Sequence, residues 1–118
     1  MKYKDDEALF ARLLEGRESA LRSLMERYGD PLTLYVNGYV HDIDAAEDLM
    51  LEAFSRMLAK RPRLREGGFK PYLYKTARNL ALHHIRLRSR FMSVEDLDAE
   101  PGSGERVEDV ILRGYLVR

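Results

Sequence analysis

Aromatic and cationic side chains alternate in residues 61–90, and this combination is typical of single-stranded nucleic-acid binding. The aromatic residues are Phe69, Tyr72 and Tyr74, and the nearest cations are Lys70, Lys75 and Arg78. Cations contact phosphates whatever the base sequence, and aromatic faces stack on unpaired bases, which is worth about 1–3 kcal/mol per base. The mixture therefore favours separated strands over a duplex. A second interpretation stays open, in which the rings pack in a helical core and the cations are only solvated.

The charges of the chain are unevenly distributed, although the formal net charge is zero. Residues 1–58 carry 7 Lys and Arg against 12 Asp and Glu, residues 59–90 carry 10 against one, and residues 91–118 carry 3 against 7. The excess of nine positive charges in the middle third suits a polyanion such as nucleic acid. Such a block is also common on a solvated face.

The residue types and their spacing give little support for a metal site or for a catalytic site. His83 and His84 are adjacent and point about 100° apart on a helix, whereas paired metal ligands are usually four residues apart. The chain has no Cys, and no nucleophile, base and orienting group form a set. Acid pairs such as Asp5 and Asp6 suit helix N-termini, where negative charge is favourable. We therefore expect no enzymatic activity, no catalytic residue, no metal and no cofactor.

Apolar residues at helical spacing predict an all-α fold, a compact bundle of about four helices. The first helix is predicted to start at Asp5 and to end before Gly16. The second starts near residues 17–19, and residues 29–31, Gly-Asp-Pro, are expected to break or bend it. Residues 32–40 have a strand-like composition, but a lone strand would have no partner, so we interpret them as helix.

A third helix is predicted from Ala45 to about Lys60. Asp44 and Glu47 have the spacing of a capping box, and Pro62 is expected to end the helix. One side of this helix is apolar and is expected to face the core. The opposite side carries the candidates for a partner surface, which are Glu47, Asp48, Leu51, Glu52 and Ser55.

The fourth helix is predicted from Pro71, which suits a first helical turn, to about Arg88. It follows a loop formed by residues 61–68. Along one side of this helix the residues stack one turn apart, so the cationic block becomes a stripe of Lys75, Arg78, Asn79, Leu82 and Arg86.

The length of 118 residues, with 45% hydrophobic residues, suits one folded domain. We expect a helical domain over residues 1–92, then an acidic linker and the start of a truncated helix over residues 93–118. The longest uncharged run, residues 31–41, is too short for the ~20 apolar residues that span a bilayer. Together with the absence of Cys and of a signal-peptide core, this predicts a cytoplasmic protein with no membrane partner.

The chain contains two longer motifs, Asp-Ala-Ala-Glu-Asp-Leu-Met-Leu-Glu-Ala-Phe at residues 44–54 and Phe-Lys-Pro-Tyr-Leu-Tyr-Lys-Thr-Ala-Arg-Asn at residues 69–79. The first resembles Ala-Glu-Asp-Leu-x-Gln-Glu-x-Phe and the second resembles Phe-x-x-Trp-Leu-Tyr-x-Ile-Ala-x-Asn. Both patterns belong to region 2 of the sigma factors of bacterial RNA polymerase, in the small extracytoplasmic-function (ECF) group. The resemblance covers about residues 5–90. Leu51 stands where the family usually has glutamine, and Tyr72 replaces tryptophan.

This resemblance implies a role in transcription initiation. The third helix would dock on the clamp coiled coil of the polymerase β′ subunit through the partner surface named above. Residues 63–68 and the start of the fourth helix would hold a base flipped from the non-template strand of the minus-ten promoter element, and Asn79 would contact that strand. The candidate DNA-binding residues are Arg63, Arg65, Phe69, Lys70, Tyr72, Lys75, Arg78, Asn79 and Arg86.

The expected function is that of a sigma region 2 domain, which binds core RNA polymerase and recognises and melts the minus-ten element as single-stranded DNA. The resemblance also makes an anti-sigma factor a candidate partner. The family carries a further domain, region 4, of which this sequence has no counterpart. The competing hypothesis is a helical protein-interaction module that regulates polymerase without binding DNA, and the cationic stripe argues against it.

Overall fold

The computed structural model describes residues 3–95 and contains four α-helices in that range. They are α1 (Asp6–Leu14), α2 (Glu18–Val40), α3 (Ile43–Lys60) and α4 (Phe69–Glu95). No strand occurs between residues 3 and 95, so the predicted all-α bundle is confirmed. The predicted tail lies outside the described residues from residue 96 onward. No helix in the described range is long and apolar enough to cross a membrane.

The longest buried face belongs to α2, which contacts all three other helices. α4 also packs against α1 and α3, so the four helices enclose one core. Burial of each large apolar side chain contributes about 1.5–3 kcal/mol, and this is the main source of stability. The largest fully buried side chains are Leu24, Leu32 and Val36 of α2, Met57 of α3, and Phe69 and Leu73 of α4.

α1 is joined to α2 by a polar cluster. Asp6 is buried and accepts hydrogen bonds from the Tyr28 hydroxyl and from the Arg27 guanidinium at 2.8 Å. Arg27 also donates to Asp5 at 2.7 Å, and it lies 4.4 Å from the centre of the Tyr3 ring. The hydrogen bond from Arg27 lowers the pKa of Asp5, whereas burial and the contact with Asp6 raise the pKa of Tyr28. These charge-assisted hydrogen bonds fix the orientation of the short first helix.

Residues 29–31 were predicted to break or bend the second helix, and the break is wrong, because α2 is continuous through Pro31. The helical interpretation of residues 32–40 is confirmed. Proline removes one backbone donor from the helix interior, and the Thr33 hydroxyl donates to the Gly29 carbonyl at 2.7 Å in the same turn. Core residues lie on both sides of the proline, at Leu24 and at Leu32, and their burial offsets the local cost.

α3 ends at Lys60 as predicted, but its start and both ends of α4 differ from the predicted ones. α3 begins two residues early, and its N-cap is Asp42, whose carboxylate accepts from the Ala45 amide at 3.2 Å. The predicted capping box is therefore wrong, since Asp44 lies inside the first turn. α4 continues to Glu95, past the predicted end at Arg88 and across the predicted domain boundary after residue 92.

Candidate nucleic-acid interface

A polar cleft of about 290 Å³ lies between the last turns of α3 and the first half of α4. One wall comes from α3 and carries two cations. The other wall comes from α4, where positions three and four residues apart share one side of the helix. The lining residues are Arg56, Lys60, Tyr72, Thr76, Asn79, Leu80 and His83.

The cleft offers the groups that a nucleotide requires. Arg56 and Lys60 are both exposed and can approach a phosphate, while the half-buried Tyr72 presents a ring and Asn79 an amide. Arg56 is 3.5 Å from Glu52, but both side chains are about half exposed, so this ion pair is weak and leaves Arg56 available. The arrangement can neutralise a phosphate and hold a base at the same site.

The structure brings two of the predicted DNA-binding residues, Tyr72 and Asn79, into the cleft. Lys75 and Arg86 are exposed on α4 at positions that continue the side of Asn79, so they extend the polar surface along the helix. Arg63 is exposed on the loop that joins the two walls. Arg65, on the same loop, is also exposed.

The other predicted DNA-binding residues face elsewhere or are covered. Lys70 is exposed, but its ammonium lies 5.7 Å from the Tyr74 ring, on the side of α4 that faces α2. Arg78 is half-buried rather than freely exposed. The Tyr74 ring is half-buried and packs 5.0 Å from the Tyr35 ring, and burial raises the pKa of its hydroxyl. These residues therefore lie outside the cleft.

The prediction that Phe69 contacts DNA is contradicted by its position in the core. Its side chain is 0% exposed, and its ring lies 5.6 Å from both the Phe10 and Tyr28 rings. A ring enclosed by α1 and α2 cannot stack on a base. The alternative interpretation of the aromatic residues, that they pack in a helical core, is therefore correct for Phe69.

Five cleft residues were not among the predicted ones, namely Arg56, Lys60, Thr76, Leu80 and His83. The spacing of four residues between Arg56 and Lys60 places them on one side of α3, next to the predicted partner surface, since Arg56 is paired with Glu52. This spacing in the sequence could have indicated that the two cations share a side of the helix. The sequence does not indicate which side of α4 this edge of α3 faces, and only the packing of the two helices reveals the shared cleft.

The loop between the two walls, residues 61–68, is held at its end by α1. The Glu7 carboxylate accepts from the Gly67 amide at 3.1 Å and from the Phe69 amide at 2.9 Å. Gly67 has a φ of 78°, which few other residues adopt at low cost. At Gly68 an added Cβ would lie 2.9 Å from the Arg65 carbonyl oxygen, so this tight turn requires glycine.

The predicted partner surface lies on the opposite side of α3 from the core. All five of its residues, Glu47, Asp48, Leu51, Glu52 and Ser55, are exposed. Leu51 is 48% exposed among these polar neighbours. Ile43, at the start of the same helix, is 51% exposed.

No cluster of three or more His, Cys, Asp or Glu side chains that could hold a metal ion occurs in the part of the chain that the structure describes.

Residues 24–91, more than half of the chain, match the family model for Sigma-70 region 2. An RNA polymerase sigma-H factor of Pseudomonas aeruginosa is 29% identical over 98 residues, which are 82% of this chain and 51% of that protein. The chain thus spans about half the length of this curated relative. No solved structure matches the chain. The matched residues include α3, the loop and the whole cleft, and the chain belongs to the Sigma-70 region 2 family.

Proposed function

We propose that this chain acts as region 2 of a sigma factor in transcription initiation, where it binds core RNA polymerase and the non-template strand of the minus-ten element. The main support is the cleft in which Tyr72 and Asn79 of α4 face Arg56 and Lys60 of α3. The cleft lies inside the segment that matches the family. The ECF subgroup, which the motifs resemble, is part of the same proposal.

The geometry favours single-stranded DNA over a duplex. The cleft is bounded by helices on two sides, so a base enters it only after leaving its stack. Separated strands have already lost that stacking, and their unpaired bases offer a face to the Tyr72 ring. The exposed cations Lys75 and Arg86 continue along α4 and follow the phosphates on either side of the bound base.

Polymerase binding is assigned to the exposed side of α3. This side carries acids around Leu51, and it does not contribute to the core. A partly apolar, charged helix face of this kind suits docking on another helix. The family resemblance supports the clamp coiled coil of the β′ subunit as that partner. In this proposal the DNA and polymerase surfaces are neighbours on α3 and meet at the Glu52–Arg56 pair.

The test compares labelled random-sequence DNA in single-stranded and duplex forms by fluorescence anisotropy. The wild-type chain is expected to prefer the single-stranded form. Arg56→Ala and Lys60→Ala should each weaken that binding by up to about fivefold, the value of one exposed ion pair. Arg22→Ala removes the same charge from an exposed position of α2 and is the matched control.

Equal affinity for both DNA forms, or an equal effect of Arg22→Ala and Lys60→Ala, would refute the cleft as the DNA site. If polymerase binding persisted without any DNA binding, the protein-interaction hypothesis would replace the proposal.

A further inference from the structure

We propose that Glu7 of α1 is a positioning residue that fixes the loop of residues 61–68 and thereby sets base selectivity at the cleft. The selectivity part of this inference rests on the proposed function. The loop begins directly after Lys60 and ends one turn before Tyr72, and both of these residues line the cleft. The loop therefore connects the two helices that form the walls of the cleft.

The contact that carries the inference joins residues about 60 positions apart in the chain. One oxygen of the Glu7 carboxylate accepts from the Gly67 amide at 3.1 Å, and the other accepts from the Phe69 amide at 2.9 Å. The first amides of a helix have no partner within the helix, and Phe69 is the first residue of α4. A carboxylate at this position satisfies that donor and interacts favourably with the helix dipole.

Glu7 is itself on a fixed element. Its neighbour Asp6 is buried and bonded to Arg27 and Tyr28 of α2, and Phe10 packs against Phe69. α1 is therefore held to α2 by one carboxylate and holds the loop and α4 by the next. The position of the loop relative to the bundle follows from this pair of adjacent acids.

The loop carries exposed cations whose direction depends on this attachment. Arg63 and Arg65 precede the glycine turn, and the Gly68 amide bonds back to the Arg65 carbonyl at 2.8 Å. Leu64 between them packs against the core. Glu7 fixes the end of the turn and Leu64 fixes its beginning, so both guanidinium groups extend from a defined backbone. Such preorganisation improves discrimination between ligands that differ little in charge.

The first experiment measures the loop without DNA. Limited trypsin cleavage after Arg63 should be at least about fivefold faster in Glu7→Ala than in the wild type, because the loop opens more often. Glu7→Gln should give an intermediate rate, since its amide oxygen can still accept from one of the two amides. Glu15→Ala removes an exposed acid from the end of α1 and is the matched control, with the wild-type rate expected.

The second experiment measures base selectivity by selection from a random single-stranded DNA pool. The enrichment of the preferred base at the most selective position should fall on the order of fivefold in Glu7→Ala, with partial recovery in Glu7→Gln. The salt dependence of binding should change equally in Glu7→Ala and Glu15→Ala, because each variant removes one negative charge. Thermal unfolding of every variant confirms that it is folded under the assay conditions.

Unchanged cleavage and unchanged enrichment in Glu7→Ala would overturn the inference. Faster cleavage with unchanged enrichment would overturn the selectivity role and leave a structural one. If the wild type bound no single-stranded DNA, the proposed function would fail, and with it the selectivity role. The cleavage rates would still decide whether Glu7 fixes the loop.

Discussion

Asn79 and Arg86 lie on the same exposed side of α4, but under the proposed function their side chains are expected to act on DNA in different ways. Asn79 lines the cleft, and Arg86 lies about two turns further along the helix. A guanidinium attracts any phosphate, whereas an amide offers a donor and an acceptor that together match particular base edges. We therefore expect Arg86 to contribute mainly to the affinity for DNA and Asn79 mainly to the sequence selectivity.

Arg86→Ala is expected to weaken binding to all single-stranded sequences and to reduce the slope of log affinity against log salt by about 0.7. Asn79→Ala should leave that slope nearly unchanged and should reduce the preference for the best-binding sequence. Titrations of both variants at several salt concentrations, with the preferred and a scrambled oligonucleotide, measure both quantities. A shallower slope in Asn79→Ala, or a lost sequence preference in Arg86→Ala alone, would contradict this division.

The aromatic residues of α4 illustrate what the sequence can predict at single positions. Phe69 and Tyr72 lie three residues apart in one motif, yet Phe69 is enclosed in the core and Tyr72 lines the cleft. Spacing alone does not distinguish them, because the rings that cover Phe69 belong to α1 and α2. The cationic segment and Asn79 could be predicted from residue types. The spacing of Arg56 and Lys60 indicates only a shared side of α3, and the proximity of that side to α4 depends on helix packing.

α2 is the element in which local propensity and tertiary packing disagree. Pro31 lies inside this 23-residue helix and is exposed, and it provides no amide hydrogen to the carbonyl one turn earlier. Buried residues before and after it hold the helix together. The lost backbone hydrogen bond at Pro31 therefore still lowers the stability of the folded state.

Pro31→Ala should raise the free energy of unfolding by about 1–2 kcal/mol, because alanine restores a backbone donor and removes the ring from the helix interior. The greater freedom of the unfolded chain partly offsets this gain. Pro71→Ala is the matched control. Pro71 lies in the first turn of α4, where no amide hydrogen is needed, so its replacement should change stability by less than about 0.5 kcal/mol. Urea denaturation of both variants measures the difference, and equal effects would contradict the explanation.

The existence and type of all four helices could be predicted, whereas several helix ends could not. Apolar periodicity depends on many residues, so one proline does not remove the signal of α2. A helix end depends on a single cap. Asp42 and Asp44 are both suitable N-caps by type, and the left-handed conformation of His41, with a φ of 53°, ends α2 and leaves Asp42 to cap α3.

For the whole molecule, the polar cluster of Asp5, Asp6, Arg27 and Tyr28 links stability to pH. The lowered pKa of Asp5 means that its contribution is present above the unfolded pKa of about 3.9 and is lost as the pH falls through the folded value. Asp5 is exposed, so this contribution is small. Tyr28 affects the stability at alkaline pH, because its hydroxyl is buried against Asp6.

The raised pKa of Tyr28 means that folding favours its neutral phenol. The resulting stability is complete below the unfolded tyrosine pKa of about 10 and is lost as the pH rises from there toward the higher folded value. Within that interval the free energy of unfolding should fall by up to about 1.4 kcal/mol per pH unit, since one additional proton leaves the unfolded chain.

Tyr28→Phe should lower stability at neutral pH by about 1–3 kcal/mol, because the buried Asp6 loses a donor, but should remove most of the decline above pH 10. Tyr35→Phe is the control, since it also removes one phenol from α2 but leaves the contact with Asp6 intact, so the alkaline decline should remain. Urea denaturation between neutral and alkaline pH measures both effects. An unchanged alkaline decline in Tyr28→Phe would assign that loss of stability to other groups. In that case, ionisation of Tyr28 would not weaken the contact through which Asp6 attaches α1 to α2. Because Glu7 is the next residue after Asp6, loss of the Tyr28 contact should also loosen the loop, so at neutral pH trypsin cleavage after Arg63 should be faster in Tyr28→Phe than in Tyr35→Phe.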